Sequence, residues 1–459
     1  MTLKIPKNFY WGNSSSSMQT EGAWNEGGKG PSVYDTDKAG RKAIDWKIAI
    51  DNYHDFDEDL DLMKAMNMNM YRFQISWSRV VPDGDGKFNE EGIQFYEHLV
   101  EELVKRGIEP MICLYHFDMP LALAEKYDGF LSREVKDAFV RYGKAMIDRF
   151  ADKVKYWIVF NEHNLYFTPT AYHYAGIISH NELTDNEIYT TFHHTMLAHA
   201  ELAAYIHETK DALIGGMLAY TQIYPATKLP LDNFLVHKVN EFNYWNLCLV
   251  YSFGHYSKEV MQEVINRRID MGWQTGDEMI LKKGGADFIS FSYYRSHLLD
   301  GTKIDETSSA IRYLNQGFLL DDALPKNEWD WAIDAEGFRY SLTELYSRFR
   351  LPVFPIENGI GWREDWDGIN EINDDYRINY HRDHIQALKD AMFIDGVEVL
   401  GYLGWGLIDI PASSGNIDKR YGVVYVDSIK HDQRDMKRVL KKSYHWFKKV
   451  LASNGDDLE

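Results

Sequence analysis

The chain has 459 residues, of which 45% are hydrophobic, 14% aromatic and 26% charged, a composition that allows a large buried core and excludes a disordered or collagen-like polymer. Its 50 Lys and Arg against 70 Asp and Glu give a net charge of −20, which repels polyanions and anionic surfaces and therefore argues against nucleic-acid and membrane partners. The two cysteines and the lack of a long apolar run favour a cytoplasmic location, with Cys113 and Cys248 as buried free thiols.

Eight short runs rich in apolar residues recur along the chain, with helical periodicity between them. Several of them are apolar almost throughout, as strands covered on both faces of a parallel sheet must be. No linker rich in Pro, Gly or Ser divides the chain, so we expect one domain, 1–459, folded as a single (β/α)8 TIM barrel with elaborated loops at the C-terminal face of the strands. The predicted strands are 9–19, 70–77, 110–117, 155–164, 213–220, 287–295, 352–359 and 399–409, and the stretch 300–335 is predicted to be a long loop.

Two glutamates lie towards the ends of predicted strands: Glu162 ends the run 156–161 in the fourth, and Glu357 ends the run 353–356 in the seventh. Most acidic residues are solvated surface charges, but a carboxylate placed directly after buried apolar residues at a barrel mouth needs partners or a function. Paired carboxylates from different strands are what cleavage of a glycosidic bond requires, because one protonates the leaving oxygen while the other stabilises or attacks the anomeric carbon. Pro355 lacks the backbone donor of a regular strand and predicts a local irregularity before Glu357.

At these residues the chain resembles the family 1 glycoside hydrolases, which are retaining β-glycosidases on a (β/α)8 barrel. Phe-Asn-Glu at 160–162 is similar to the acid/base motif of that family, Ile-Glu-Asn-Gly at 356–359 to its nucleophile motif, and 71–79 to its second-strand signature. The resemblance covers essentially the whole chain, and several motifs in the same order are far more specific than one short pattern.

The resemblance implies that Glu162 is the acid/base and Glu357 the nucleophile. Arg72 and Tyr294 are expected to favour the ionised form of Glu357, through a permanent positive charge and a phenolic donor. The negative charge of Glu357 is then expected to raise the pKa of Glu162. A structural ion pair for Arg72 and simple packing for Tyr294 are the alternatives.

The resemblance also implies a set of sugar contacts. Asn161 is expected to bond the sugar 2-hydroxyl, Gln19 and His116 to bind hydroxyls of the same ring, and Trp405 to form a platform under the sugar. For His116 and Trp405, ordinary packing in the core is the alternative.

The loop after the eighth strand departs from the pattern of relatives that act on plain sugars, because the Glu-Trp pair of those relatives is absent from 410–415. This part of the chain offers instead three groups that can donate to an anion: the hydroxyl of Ser413 or Ser414, the ammonium of Lys419 and the phenol of Tyr421. This group resembles the phosphate site of the 6-phospho-β-glucosidases and 6-phospho-β-galactosidases, and the small residue at 414 favours gluco substrates. A solvated loop is the alternative for Lys419.

The sequence thus predicts double-displacement hydrolysis of 6-phospho-β-glucosides, such as cellobiose 6-phosphate or aryl β-glucoside 6-phosphates, to glucose 6-phosphate and an aglycone. A β-glucosidase or β-galactosidase acting on unphosphorylated or 6-phospho-galacto substrates is the main alternative, and a non-catalytic carbohydrate-binding barrel is the other. No metal or other cofactor is expected, because His194 and His199 are five residues apart rather than the four of a zinc helix motif. The oligomeric state is left open.

Overall fold

Eight parallel strands close into a barrel in the computed structural model, which describes residues 4–36, 46–429 and 434–459. The predicted (β/α)8 architecture is therefore confirmed, while 1–3, 37–45 and 430–433 of the expected 1–459 domain lie outside the described residues. Neighbours pair in the order β5-β4-β3-β2-β1-β8-β7-β6, and pairing of β6 with β5 closes the barrel. The barrel strands are β1 Tyr10–Ser14, β2 Met70–Gln74, β3 Glu109–Tyr115, β4 Tyr156–Phe160, β5 Leu213–Pro225, β6 Phe288–Leu299, β7 Val353–Asn358 and β8 Gly401–Trp405.

Helices fill the intervals between the strands, and Glu90–Arg106 shows why the sequence forms them. Acidic side chains occupy its first turn, Lys105 and Arg106 its last turn, and Gly107 ends it in the left-handed conformation with φ 71°. The other α-helices are Ser17–Thr20, Phe56–Ala65, Trp77–Val80, Leu121–Tyr127, Arg133–Phe150, Tyr172–Ala175, Asp185–Thr209, Pro230–Asn240, Asn246–Phe253, Lys258–Arg267, Asp277–Lys283, Tyr313–Gly317, Ala335–Phe349, Asp375–Phe393 and Lys442–Ala452. Short 3₁₀ turns lie at Val33–Asp35, Gly129–Leu131, His163–Tyr166, Gly301–Lys303 and Ala310–Arg312, and a π turn at Glu241–Trp245. None of the helices in the described ranges combines the length and apolar character that crossing a membrane requires.

The interior of the barrel is filled by its own cluster of buried side chains, which include Met70, Met111, Met217, Phe354 and Leu403. A second, larger cluster packs the helices onto the outside of the strands. Because the interior is packed, the carboxyl ends of the strands and their loops are left to form a site. Both thiols are buried and free, as expected.

The irregularity predicted from Pro355 is confirmed. Phe291 on β6 pairs with Pro355, yet the next residue, Ser292, pairs with Glu357, so β7 holds one extra residue at this point. A bulge of this kind bends a strand and redirects a side chain, and here it immediately precedes Glu357.

The predicted loop 300–335 is irregular for most of its length, interrupted by short turns and by Phe318–Leu319, which pairs antiparallel with the end of β6. Two more short ladders lie beyond the barrel: Trp362–Arg363 pairs with Lys419–Arg420, and Val424–Val426 with Arg438–Leu440. The first of these ladders pairs Lys419 with Arg363, five residues after the end of β7.

Candidate active site

Glu357 lies at the end of β7, and two of the predicted partners hold it. Arg72, fully buried on β2, donates from Nη1 to Glu357 Oε1 at 2.5 Å, and the Tyr294 hydroxyl on β6 donates to Oε2 at 3.0 Å. The pKa of Glu357 lies above its usual value, because burial raises it by more than the charge of Arg72 and the hydrogen bonds of both partners lower it. Arg72 and Tyr294 thus favour the ionised form of Glu357, as predicted. The sequence did not reveal that burial of Glu357 opposes them.

Glu162 follows β4 in the left-handed conformation, with φ 44°, which is uncommon for a residue that carries a Cβ. Ser292 on β6 donates a hydrogen bond to its Oε1. Burial, followed by the negative charge of Glu357, raises the pKa of Glu162 to about 8, while Ser292 and Arg72 act in the opposite direction. At neutral pH this carboxyl therefore holds a proton, which is the state a general acid needs.

Ser292 is a site residue that the sequence reasoning missed. It lies two residues before Tyr294 on the same strand, and alternate residues of a strand point to the same face. That spacing was the available signal, although only the fold shows that Ser292 reaches Glu162, 130 residues away.

Asn161 and His116 bring buried polar atoms to the same end of the barrel. Asn161 Oδ1 accepts a hydrogen bond from Arg72 Nη2 at 2.7 Å, whereas its Nδ2 has no partner among the described residues. His116 Nδ1 is likewise without a partner in that part of the chain, and its ring centre lies 5.7 Å from that of Trp405. Burial and the charge of Arg72 hold the pKa of His116 well below its usual value, so the ring is neutral. Buried polar atoms of this kind need a ligand or water to satisfy them.

Gln19 is engaged more fully by the protein than the sequence indicated. Its Nε2 donates to the backbone carbonyl of Pro411 at 2.7 Å, and its Oε1 accepts from the Ser16 hydroxyl at 2.6 Å. The side chain therefore ties the first strand's loop to the eighth, with one amide N–H left for a ligand. Trp405 ends β8 and is buried, with 6% of its surface exposed.

Lys419 is a buried ammonium surrounded by aromatic rings. Its Nζ lies 3.4 Å from the ring centre of Trp331, 5.0 Å from that of Trp329 and 5.7 Å from that of Tyr421. Within the described ranges, no carboxylate oxygen lies within 4.0 Å of Nζ, and Nζ makes no hydrogen bond. Burial and the nearby charge of Arg295 lower the pKa of Lys419 to about 7. The solvated-loop alternative is wrong, since Lys419 is 6% exposed.

Tyr421 joins this cluster to the catalytic end of the barrel. Its ring centre is 5.8 Å from that of Tyr294, whose hydroxyl binds Glu357. Ser413 and Ser414 lie in an exposed turn, in which the Gly415 N–H donates to the Ala412 carbonyl at 2.7 Å. The structure thus brings Lys419 and Tyr421 close to Tyr294, and leaves the two serines at the surface.

A buried ionic network fixes the backbone that carries Lys419 and Tyr421. Arg377 donates to the carbonyls of Tyr421 and Arg420 at 3.1 and 3.0 Å, and it pairs with Glu364 at 2.6 Å. A Cβ at Gly361 would lie 2.7 Å from Lys419 Cε, so a larger residue there would displace the lysine side chain. Arg377 and Gly361 lie far from these residues in the chain, and the sequence reasoning found neither.

The chain matches the model of glycosyl hydrolase family 1 over residues 1–456. It is 37% identical over 480 residues to the aryl-phospho-β-D-glucosidase BglA of Bacillus subtilis (strain 168), with 99% of each chain covered. It is 37% identical over 475 residues to a 6-phospho-β-glucosidase of Clostridium longisporum, covering 100% of this chain and 99% of that one. A solved family 1 β-glucosidase from Thermotoga maritima aligns with a TM-score of 0.87 and 28% identity, covering 99% of both chains.

Proposed function

Because the chain belongs to glycosyl hydrolase family 1, we propose that it hydrolyses 6-phospho-β-glucosides to glucose 6-phosphate and an aglycone. The observation that carries the proposal is Lys419, an ammonium that is buried beside the catalytic end of the barrel without an anionic partner among the described residues. An unpaired buried charge is strongly unfavourable. A phosphate on the substrate supplies the missing anion, and the relatives named as acting on phosphorylated β-glucosides support this choice.

In the proposed reaction, Glu357 attacks the anomeric carbon while Glu162 gives its proton to the departing oxygen, which releases the aglycone. The product of this step is a glycosyl ester on Glu357. Burial continues to raise the pKa of Glu162, but the ester is neutral, so the repulsion from Glu357 disappears, the pKa of Glu162 falls, and Glu162 can accept a proton from water. That water breaks the ester and releases glucose 6-phosphate with its configuration retained. Retention requires the two carboxyl groups to lie ~5 Å apart.

The other side chains position the sugar in this proposal. Asn161 Nδ2 and the open nitrogen of His116 are buried donors or acceptors without partners in the described part of the chain, and they suit the hydroxyls of a pyranose. Gln19 adds its remaining amide N–H, and Trp405 offers an aromatic face. Arg72 holds both Asn161 and Glu357 and so fixes their relative positions.

The phosphate is bound by Lys419 and Tyr421, together with a hydroxyl of Ser413 or Ser414. The Tyr421 hydroxyl makes no hydrogen bond to any described residue, so its proton is free for a phosphate oxygen. A Glu in this loop would repel the phosphate, and residues 410–415 contain none. We also infer that the chain forms a single catalytic domain. Two expectations stay predictions: the cytoplasmic location and the lack of a nucleic-acid partner.

The experiment compares kcat/KM on p-nitrophenyl β-glucoside 6-phosphate with kcat/KM on p-nitrophenyl β-glucoside. We expect the phosphorylated substrate to be preferred by on the order of 100-fold, because two charge-assisted hydrogen bonds contribute about 1.5 to 3 kcal/mol each before desolvation is subtracted. A preference for the plain glucoside would instead identify a β-glucosidase. The corresponding nitrophenyl β-galactosides, with and without a 6-phosphate, test whether gluco substrates are preferred to galacto substrates.

A further inference from the structure

A second cation that has no anionic partner in the described part of the chain lies beside Lys419. Arg295 follows Tyr294 on β6 and is half-buried. Its guanidinium carbon lies 4.7 Å from the ring centre of Trp331 and 5.8 Å from that of Phe318. Within the described ranges, the guanidinium has no carboxylate within 4.0 Å and makes no hydrogen bond.

Other buried arginines of this protein are paired. Each of them has a carboxylate oxygen within 3.2 Å, and several also bind backbone carbonyls. These arginines are Arg72, Arg79, Arg377 and Arg420. A guanidinium carries five donors, and leaving them without acceptors in a partly buried place is unfavourable. The fold thus gives each of these four arginines a carboxylate partner, whereas Arg295 has none among the described residues.

Arg295 and Lys419 share one aromatic ring. Their distances from the Trp331 ring centre, 4.7 Å and 3.4 Å, limit the separation of the two cationic groups to about 8 Å. Burial lowers the pKa of Arg295, and its charge contributes to the lowered pKa of Lys419. Two like charges repel each other at this range. An anion between them would attract both and so offset that repulsion.

We propose that Arg295 is a second cation of the phosphate site and that it donates hydrogen bonds to the 6-phosphate dianion together with Lys419. This inference rests on the proposed function and extends it. A phosphate monoester carries a charge of about −1.5 to −2 near neutral pH, which two cations match and one does not. The planar fork of arginine also fits two phosphate oxygens at once, so Arg295 is a residue that determines specificity for the phosphorylated sugar.

The test compares Arg295→Met with the wild type on the same pair of nitrophenyl glucosides. We expect kcat/KM on the 6-phosphate to fall about 30-fold, the size of a lost charge-assisted interaction, and kcat/KM on the plain glucoside to change less than about twofold. Arg295→Lys restores the charge without the fork and should recover part of the loss. Arg348→Met is the matched control. Arg348 lies on the outer helix Ala335–Phe349, and its guanidinium carbon is 3.6 Å from the ring centre of Trp245. This substitution should leave kcat/KM unchanged on both glucosides.

Calorimetric binding of glucose 6-phosphate and of glucose gives a second readout that needs no turnover. Affinity for glucose 6-phosphate should fall in Arg295→Met about as much as kcat/KM does, and affinity for glucose should not change. Equal losses on both substrates, or no loss on the phosphorylated one, would overturn the role of Arg295. If Lys419→Met abolishes the phosphate preference while Arg295→Met leaves it intact, the proposed function stands and this inference fails. If the wild type shows no phosphate preference, the proposed function itself fails.

Discussion

Replacing Lys419 by Met should stabilise the free protein at acidic pH while it removes the preference for a phosphorylated substrate. Met keeps most of the length of the side chain and its packing against Trp329 and Trp331, and it removes a buried charge. Natural sites often retain such an unfavourable group because binding requires it. The variant therefore separates a structural role for Lys419 from a role in binding.

The size of the effect follows from the pKa of Lys419. Its change from 10.5 to about 7 corresponds to about 5 kcal/mol at ~1.36 kcal/mol per pKa unit. Local rearrangement and water relieve part of this penalty in practice. We expect the free energy of unfolding of Lys419→Met to exceed that of the wild type by about 2 kcal/mol at pH 6.

The pH dependence has a defined sign. Below pH 7, native and unfolded chains both hold the proton, and the native state carries the whole penalty. Between pH 7 and 10.5 the unfolded chain binds more protons than the native one, so the stability of the wild type rises with pH. The variant lacks this contribution, and its advantage should therefore be largest at pH 6 and shrink towards pH 10.

Thermal unfolding of both proteins from pH 6 to pH 10 measures this difference. Lys441→Met is the contrasting control, because Lys441 is fully buried and paired with Glu364 and Asp409, and its loss should destabilise the protein throughout. Glucose 6-phosphate should raise the Tm of the wild type and have little effect on Lys419→Met. A lowered Tm for Lys419→Met at pH 6, like that expected of Lys441→Met, would refute the claim that Lys419 lacks an anionic partner.

The remaining predictions concern the catalytic pair. Glu357→Gln should lower kcat by on the order of 10⁴-fold or more, because it removes the nucleophile, and appreciable residual turnover would contradict that role. Glu162→Gln should spare the first step for nitrophenyl substrates, whose leaving group needs no proton, so equal rate losses across leaving groups would refute the acid role. Ser292→Ala should move the alkaline limb of the kcat/KM profile to higher pH, because Ser292 lowers the pKa of Glu162; an unchanged limb would show that this hydrogen bond has no effect. NMR of the first-formed sugar should show the β anomer, and the α anomer would exclude retention.

The sequence predicted the barrel because buried parallel strands have a local signature, an apolar run between helical segments. It also placed Glu162 and Glu357 correctly at strand ends, and Pro355 predicted the bulge, since a residue without an N–H interrupts a ladder wherever it lies. These features depend on residues close together in the chain.

Contacts between distant segments could not be predicted in this way. Ser292 reaches Glu162 across 130 residues, and Lys419 packs against Trp329 and Trp331 from a stretch that the sequence showed only as a long loop. The burial of Lys419 could not be predicted either, because a lysine in a polar loop has the same sequence pattern whether it is exposed or buried. The burial of a charge follows from tertiary packing and not from its neighbours in the chain.

A crystal structure of Glu357→Gln with p-nitrophenyl β-glucoside 6-phosphate tests phosphate recognition most directly. The variant retains the sugar pocket and cannot form the glycosyl ester, so the intact substrate should accumulate. We predict the sugar beside Glu162 and its phosphate oxygens about 3 Å from Lys419 Nζ and the Tyr421 hydroxyl. A bound sugar whose phosphate points into solvent, more than about 5 Å from both groups, would contradict the proposed function.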